Sequence, residues 1–154
     1  MHRLERLRKL AIGGSPGGRL HILLAIGRLP TVEELRLTDL MLSEEEIKGL
    51  AGFPKLRTLV IQGTIMIGDD DVAELSKLKS LETSLFHRLD VSGGLGNYRP
   101  LTTRSLEYLR EMANLRVVEL PEGCGLDSDT ITDFEEEIAG RSGVRDRETR
   151  EIRE

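Results

Sequence analysis

One spacing of apolar residues, L-x-x-L-x-x-L-x-L, occurs five times along the chain. Nineteen of the twenty positions that it defines are apolar, and only Ser84 departs from the pattern. The repeats follow one another at nearly equal intervals, except that the last interval is longer, and have these members: Leu4, Leu7, Leu10, Ile12; Leu29, Val32, Leu35, Leu37; Phe53, Leu56, Leu59, Ile61; Leu78, Leu81, Ser84, Phe86; Met112, Leu115, Val118, Leu120. The last two positions of each repeat alternate with period two, which predicts a short β-strand there.

A second pattern follows four of the repeats: an apolar residue, a polar stretch, and another apolar residue five positions on. It begins at Leu42, Ile67, Leu101 and Leu126, so its one long interval matches the long interval of the repeats. The apolar residues that follow recur every third or fourth position, which predicts amphipathic helices. Ser43, Thr102 and Asp127 occupy the expected N-cap positions. Each unit is therefore predicted to consist of a strand, a turn, a helix and a loop that leads to the next strand.

Successive strands that are connected through a helix are expected to pair in parallel. Repeating such a unit produces an α/β fold with one parallel sheet on the concave face, helices on the convex face and a leucine core between them. A single unit cannot bury its own apolar face, and five units exceed the roughly three that a stable array needs. Leu59, in the central unit, is expected to be fully buried.

Several segments resemble a known repeat family. Gly63-Thr64, then Ile67-Gly68-Asp69 and Val72-Ala73-Glu74-Leu75, are similar to the phrase G-T-x-I-T-D-x-G-L-x-x-L of bacterial and F-box-type leucine-rich repeats. The segments 53–59 and 112–118 resemble the family's next phrase. The resemblance implies a right-handed leucine-rich-repeat solenoid, a short or truncated member, that binds a protein through its concave sheet without cofactor or catalysis.

The chain departs from that family at one place. The position where the family usually has a ladder of Asn side chains is occupied by Leu40, Thr64, Leu89 and Gly123. The backbone amides of the turns must therefore find other hydrogen-bond acceptors.

The repeats define the domain organisation. We expect one leucine-rich-repeat domain over residues 1–140, with an insertion at 91–100, and a loosely ordered charged tail over 141–154. The insertion accounts for the single long interval, between Leu78 and Met112. Because Leu4 already belongs to the first unit, its core edge is bare unless further sequence precedes it, so we expect a fragment or a truncated gene product.

Composition narrows the classes of partner. The formal net charge of −5 argues against nucleic acid, whose binders usually carry a basic excess. The one cysteine, Cys124, cannot form an internal disulfide, so a cytoplasmic protein is the default expectation. The apolar run at 21–26 is too short for a signal peptide, and no stretch approaches the roughly 18 apolar residues of a membrane span, so we expect no membrane partner.

Three features that could carry chemistry have plainer explanations. The glycine-rich stretch 13–19 lacks the G-K-[ST] ending of a phosphate loop, and the acids at 69–71 lack the spacing of a calcium loop. Cys124 and His87 have no acid placed by any motif to complete a catalytic set. We therefore expect a turn, a charged helix start and a buried cysteine, with no catalytic residue, cofactor or metal.

The candidate binding site consists of strand residues that point away from the core. Val60 and Leu85 are expected to form its apolar centre, with a polar rim, as in protein-binding patches. The inserted loop is a second candidate contact. The predicted site comprises Arg36, Thr58, Val60, Gln62, Thr83, Leu85, His87 and Glu119 on the strands, and Tyr98 and Arg99 in the loop. An ordinary sheet surface and a tolerated insertion remain the alternative interpretations.

These observations favour a non-catalytic protein–protein interaction module that binds another protein through its concave sheet, with the 91–100 loop as an additional contact. The alternative is a substrate-recognition fragment of a larger enzyme, such as a ubiquitin ligase, or of a receptor-type protein. A decayed gene fragment without a function of its own is the third hypothesis.

Overall fold

The protein has an α/β fold in its computed structural model, which describes residues 6–14, 29–40, 42–63, 67–87, 100–121 and 123–141. Five strands lie in these ranges: β1 Lys9–Gly13, β2 Glu34–Thr38, β3 Thr58–Gln62, β4 Thr83–His87 and β5 Val117–Glu119. Four α-helices lie in the same ranges, one after each of β2 to β5: α1 Glu44–Gly49, α2 Asp69–Leu75, α3 Thr103–Arg110 and α4 Ser128–Gly140. A 3₁₀ turn, Leu50–Gly52, follows α1. Except for Pro100 and Arg141, the predicted insertion and tail lie outside the described residues.

The five strands form one sheet in the order β1-β2-β3-β4-β5, and every pair is parallel. This confirms the predicted pairing. The predicted repeat positions fall into one row across the sheet: Leu10, Leu35, Leu59, Ser84 and Val118. β5 ends at Glu119, one residue before the last repeat position, and the amide of Leu120 donates to Glu135 Oε1 of α4 at 2.8 Å.

The hydrophobic core lies between the sheet and the helices. Strand residues of the repeat and the inward apolar residues of all four helices belong to one cluster, in which Leu59 has no exposed surface. The helices contribute Ile47, Val72, Leu75, Leu106, Leu109, Ile131, Phe134 and Ile138. Ser84, the one polar member of the repeat, is buried as well. The predicted periodicity therefore identifies the core correctly.

Side chains cap the helices at the predicted positions. The Ser43 hydroxyl accepts a hydrogen bond from the amide of Glu46, whose carboxylate accepts one from the amide of Ser43 at 2.8 Å. Asp127 accepts from the amide of Thr130, and Thr102 accepts from the amide at the second position of α3. α2 begins after Gly68, whose amide donates to the carboxylate of the Asp at the third position of the helix. The N-caps expected from the sequence are confirmed.

The turns after the strands bond to the next strand instead of to an Asn ladder. The amides of Gly14, Asp39 and Gly63 donate to the carbonyls of Thr38, Gln62 and His87 at 2.9, 2.8 and 3.1 Å. Gly63 has a φ of 105°, and a Cβ there would lie 2.8 Å from the backbone nitrogen of Asp39. A glycine is therefore required at this turn. Of the predicted ladder positions, Thr64 and Leu89 lie outside the described residues.

The backbone also joins the units just before the strands. The carbonyls of Arg8, Glu33, Arg57 and Glu82 each accept two amide hydrogen bonds from the following unit, at 2.7 to 3.1 Å. Their side chains alternate in charge, and Arg57 binds Glu82 through two hydrogen bonds of 2.9 and 2.8 Å. Each of the first three units is thus attached to the next at both ends of its strand, and the fourth is attached to the fifth at the start of β4.

Two polar links join neighbouring helices. The carboxylate of Asp69, at the start of α2, accepts hydrogen bonds from the amide and hydroxyl of Thr102 at 2.9 and 2.6 Å and from the Ser105 hydroxyl. Arg110 of α3 donates from Nε to Glu137 of α4 at 2.9 Å. Partial burial raises the pKa of Asp69, but the hydrogen bonds from Ser105 and Thr102 outweigh it and hold the pKa below its usual value.

The complete burial of Leu59 predicts how much its truncation lowers the free energy of unfolding. Leu59→Ala should lower the free energy of unfolding by about 2 to 5 kcal/mol, because Leu59 is fully buried between two neighbouring units. Urea denaturation followed by circular dichroism measures this change. Thr58→Ala, on the opposite face of the same strand, is the control and should cost less than about 1 kcal/mol. A loss of only a few tenths for Leu59→Ala would contradict the assigned core.

The link at Asp69 predicts a pH-dependent contribution to stability. Asp69→Asn should lower the free energy of unfolding by about 1 kcal/mol near neutral pH, because an amide oxygen replaces a carboxylate that accepts three hydrogen bonds. Since the folded pKa of Asp69 is depressed, the unfolded chain takes up its proton first. The contribution is therefore complete above about pH 4 to 5 and disappears as the pH falls through the folded pKa.

Urea midpoints of the wild-type chain and of Asp69→Asn, measured across this pH range, should therefore converge in acid. Asp70→Asn is the matched control, because Asp70 is an exposed acid in the same helical turn. An equal loss of stability in both variants would assign the effect to the helix dipole instead of the link.

Candidate functional site

The strands present a second row of side chains on the face of the sheet opposite the core, which we call the outer face. Strand pairing aligns its central row as Ala11, Arg36, Val60, Leu85 and Glu119. Parallel sheets usually have both faces covered. Here all four described helices place their buried apolar residues in the core on the other face. The outer face is the surface that the sequence predicted as the binding site.

The apolar centre of the outer face differs from the prediction. Val60 and Leu85 do lie outside the core cluster, but they are only 5% and 1% exposed. The two residues are paired in register, between Arg36 on one side and Glu119 on the other. The expected exposed apolar patch is therefore absent at these two residues.

The N-terminal part of the outer face carries a three-residue ion network. Lys9 Nζ lies 2.7 Å from Glu34 Oε2, and Arg36 Nε donates to Glu34 Oε1 at 3.0 Å. The hydrogen bond from Lys9 lowers the pKa of Glu34 most, partial burial acts against it, and Arg36 lowers it further, so the pKa is below its usual value. Glu34 is therefore ionised at neutral pH and holds two cations.

The opposite part of the outer face contains the predicted pair His87 and Glu119. His87 Nδ1 lies 3.7 Å from Glu119 Oε2, and both side chains are partly exposed. This distance is longer than a hydrogen bond, so the contact is an ion pair only when the imidazole is protonated. The structure thus brings His87 and Glu119 together on neighbouring strands.

The remaining predicted residues divide into two groups. Thr58 and Thr83 are half-buried and paired in register, while Gln62 is exposed at the end of β3. Tyr98 and Arg99 lie outside the described residues. Lys9 and Glu34 were not included in the predicted site, although opposite charges at equivalent positions of successive repeats are a signal that could have identified them.

The described residues offer little for catalysis or metal binding. Cys124 is buried, and this burial raises the pKa of its thiol, which disfavours the nucleophilic thiolate. No group of three or more His, Cys, Asp or Glu side chains in the described ranges could hold a metal ion. In the same ranges, no helix has the length and apolar character that crossing a membrane requires.

Burial at the centre of the outer face predicts how the stability of the fold responds to a charge substitution there. Leu85→Glu should destabilise the fold by at least about 2 kcal/mol, because it places a carboxylate in a buried position whose in-register neighbours are Val60 and the like-charged Glu119. Ala11→Glu, in the same row but exposed, should change stability by less than about 0.5 kcal/mol. Thermal and urea unfolding measure the difference. Full stability in Leu85→Glu would show that this position is open to solvent.

Comparison with protein-family models, with curated proteins and with solved structures found no match for this chain.

Proposed function

We propose that the protein is a short leucine-rich-repeat solenoid that acts as a non-catalytic protein-binding module. Its contact surface is the outer face, which corresponds to the concave face in that repeat family. One observation carries the proposal: the described helices cover only one face of a parallel sheet, a class of sheet that is usually covered on both. The face of the sheet that the described helices leave uncovered is suited to contact another protein.

The chemistry of the accessible residues supports a polar interface. Arg36, Gln62 and His87 all have exposed or partly exposed side chains on this face, and Thr58 and Thr83 lie at the starts of β3 and β4. Arg is enriched in protein interfaces because one side chain offers a planar set of five donors and a hydrophobic stem. Since Val60 and Leu85 are covered, the partner contacts the polar residues around them.

A partner can be captured at a defined point of this face. Gln62 is exposed, so a photo-activatable benzoylphenylalanine at position 62 should cross-link a partner from a lysate of the source cell. The same group at Ala51, which is exposed beyond α1, is the control and should not. Mass spectrometry identifies the captured protein, and its affinity for the chain is then measured with both proteins purified.

Substitutions on the two faces should affect that affinity differently. Thr58→Glu and Gln62→Glu should weaken binding by about tenfold or more, since each places a carboxylate that must be desolvated in the contact surface. Ala51→Glu and Ala113→Glu add the same charge away from the outer face and should change the dissociation constant by less than about threefold. If the Ala51 and Ala113 variants lost the partner while the outer-face variants kept it, the proposal would be wrong.

A further inference from the structure

The outer face holds more positive than negative charge at its N-terminal part. Lys9 and Arg36 share the single carboxylate of Glu34, which leaves one positive charge in excess. The whole chain has a formal net charge of −5. This three-residue network is therefore a local cationic site on an acidic protein.

Both cations retain hydrogen-bond donors. Arg36 uses only Nε for Glu34, and among the described residues its two terminal nitrogens have no acceptor. Lys9 contacts Glu34 alone within the described ranges, and its side chain is 79% exposed. A guanidinium whose terminal nitrogens are available can bind a carboxylate through two parallel hydrogen bonds.

Glu137, on the helix side, is a second carboxylate that holds two cations, but its two arginines have further partners within the fold. Arg110 uses both Nε and Nη2 to contact Glu137, and its guanidinium also lies 5.2 Å from the centre of the Phe134 ring. Arg141, the other arginine at Glu137, donates to the backbone carbonyl of Arg110 at 3.0 Å. Those guanidinium groups are occupied within the fold, whereas the one on the outer face is not.

We propose that Lys9 and Arg36 together bind a carboxylate of the partner protein, so that the partner's contact segment is an acidic one. The partner carboxylate and Glu34 would then lie between the same two cations. This inference rests on the proposed function of the outer face. It adds the chemical character of the partner and the residues that select it.

A random linear peptide library displayed on phage tests the inference without a known partner. Selection on the immobilised wild-type chain should enrich peptides that contain Asp or Glu above their frequency in the unselected library. The selected peptides should bind the double variant Lys9→Gln, Arg36→Gln at least about tenfold more weakly, because each loses a charge-assisted contact. Arg36→Lys should bind with intermediate affinity, since it keeps the charge but not the paired donors.

The matched control is Lys48→Gln, Lys77→Gln. It changes the net charge equally, and each of these exposed lysines is bound to one acid on the helix side. It should retain peptide affinity within about threefold, which separates direct contact from long-range charge. Circular dichroism and thermal unfolding of all variants establish that each is folded.

The possible results separate this inference from the proposed function. Selected peptides without acid enrichment, blocked by Thr58→Glu and Gln62→Glu, would overturn the carboxylate site and leave the outer face as the binding surface. Equal loss of binding in both double variants would also overturn it. Peptides that are insensitive to every outer-face substitution would contradict the proposed function as well.

Discussion

In-register pairing of parallel strands is the constraint on which the rest of this structure depends. Each unit can bury its leucines only if its strand lies beside the equivalent strand of the next unit. Pairing Leu35 with Leu59, and Leu59 with Ser84, places these residues on the core side and their neighbours on the outer face. A slip of one residue would exchange Leu59 with Val60 and turn the leucines outward.

The pairing is reinforced by backbone hydrogen bonds at both ends of the strands. Before the strands, the carbonyls of Glu33, Arg57 and Glu82 each accept two amides of the following unit, and after them the turn amides bond to the next strand. These contacts depend on backbone position and not on the length of the connection. Consequently the long interval before β5 leaves its register with β4 intact, with Thr83 opposite Val117.

The same register creates the candidate site. It aligns residues of five separate units in one row, so that the charges of β1 and β2 meet at Glu34 while the pair His87 and Glu119 lies toward the other edge. Because the two apolar residues between them are buried, recognition on this face is expected to depend on hydrogen bonds and charge. The partner's polarity, more than its apolar area, would then decide specificity.

The sequence by itself determined the strands, the helix starts and the core. Apolar spacing located the five strands, the small polar residues Ser43, Thr102 and Asp127 marked three helix starts, and Leu59 was correctly expected to be buried. These features follow from residues close together in one unit. The leucine-rich-repeat family and the binding role stay predictions.

Only the tertiary structure decided which residues of the outer face are buried, which form ion pairs, and where β5 ends. The burial of Val60 and Leu85 depends on what packs over them in the folded chain, and the network around Glu34 joins two neighbouring units of the chain. β5 stops at Glu119, and the next amide, that of Leu120, donates to a carboxylate on α4. Each of these outcomes depends on distances between units, which periodicity along the chain does not contain.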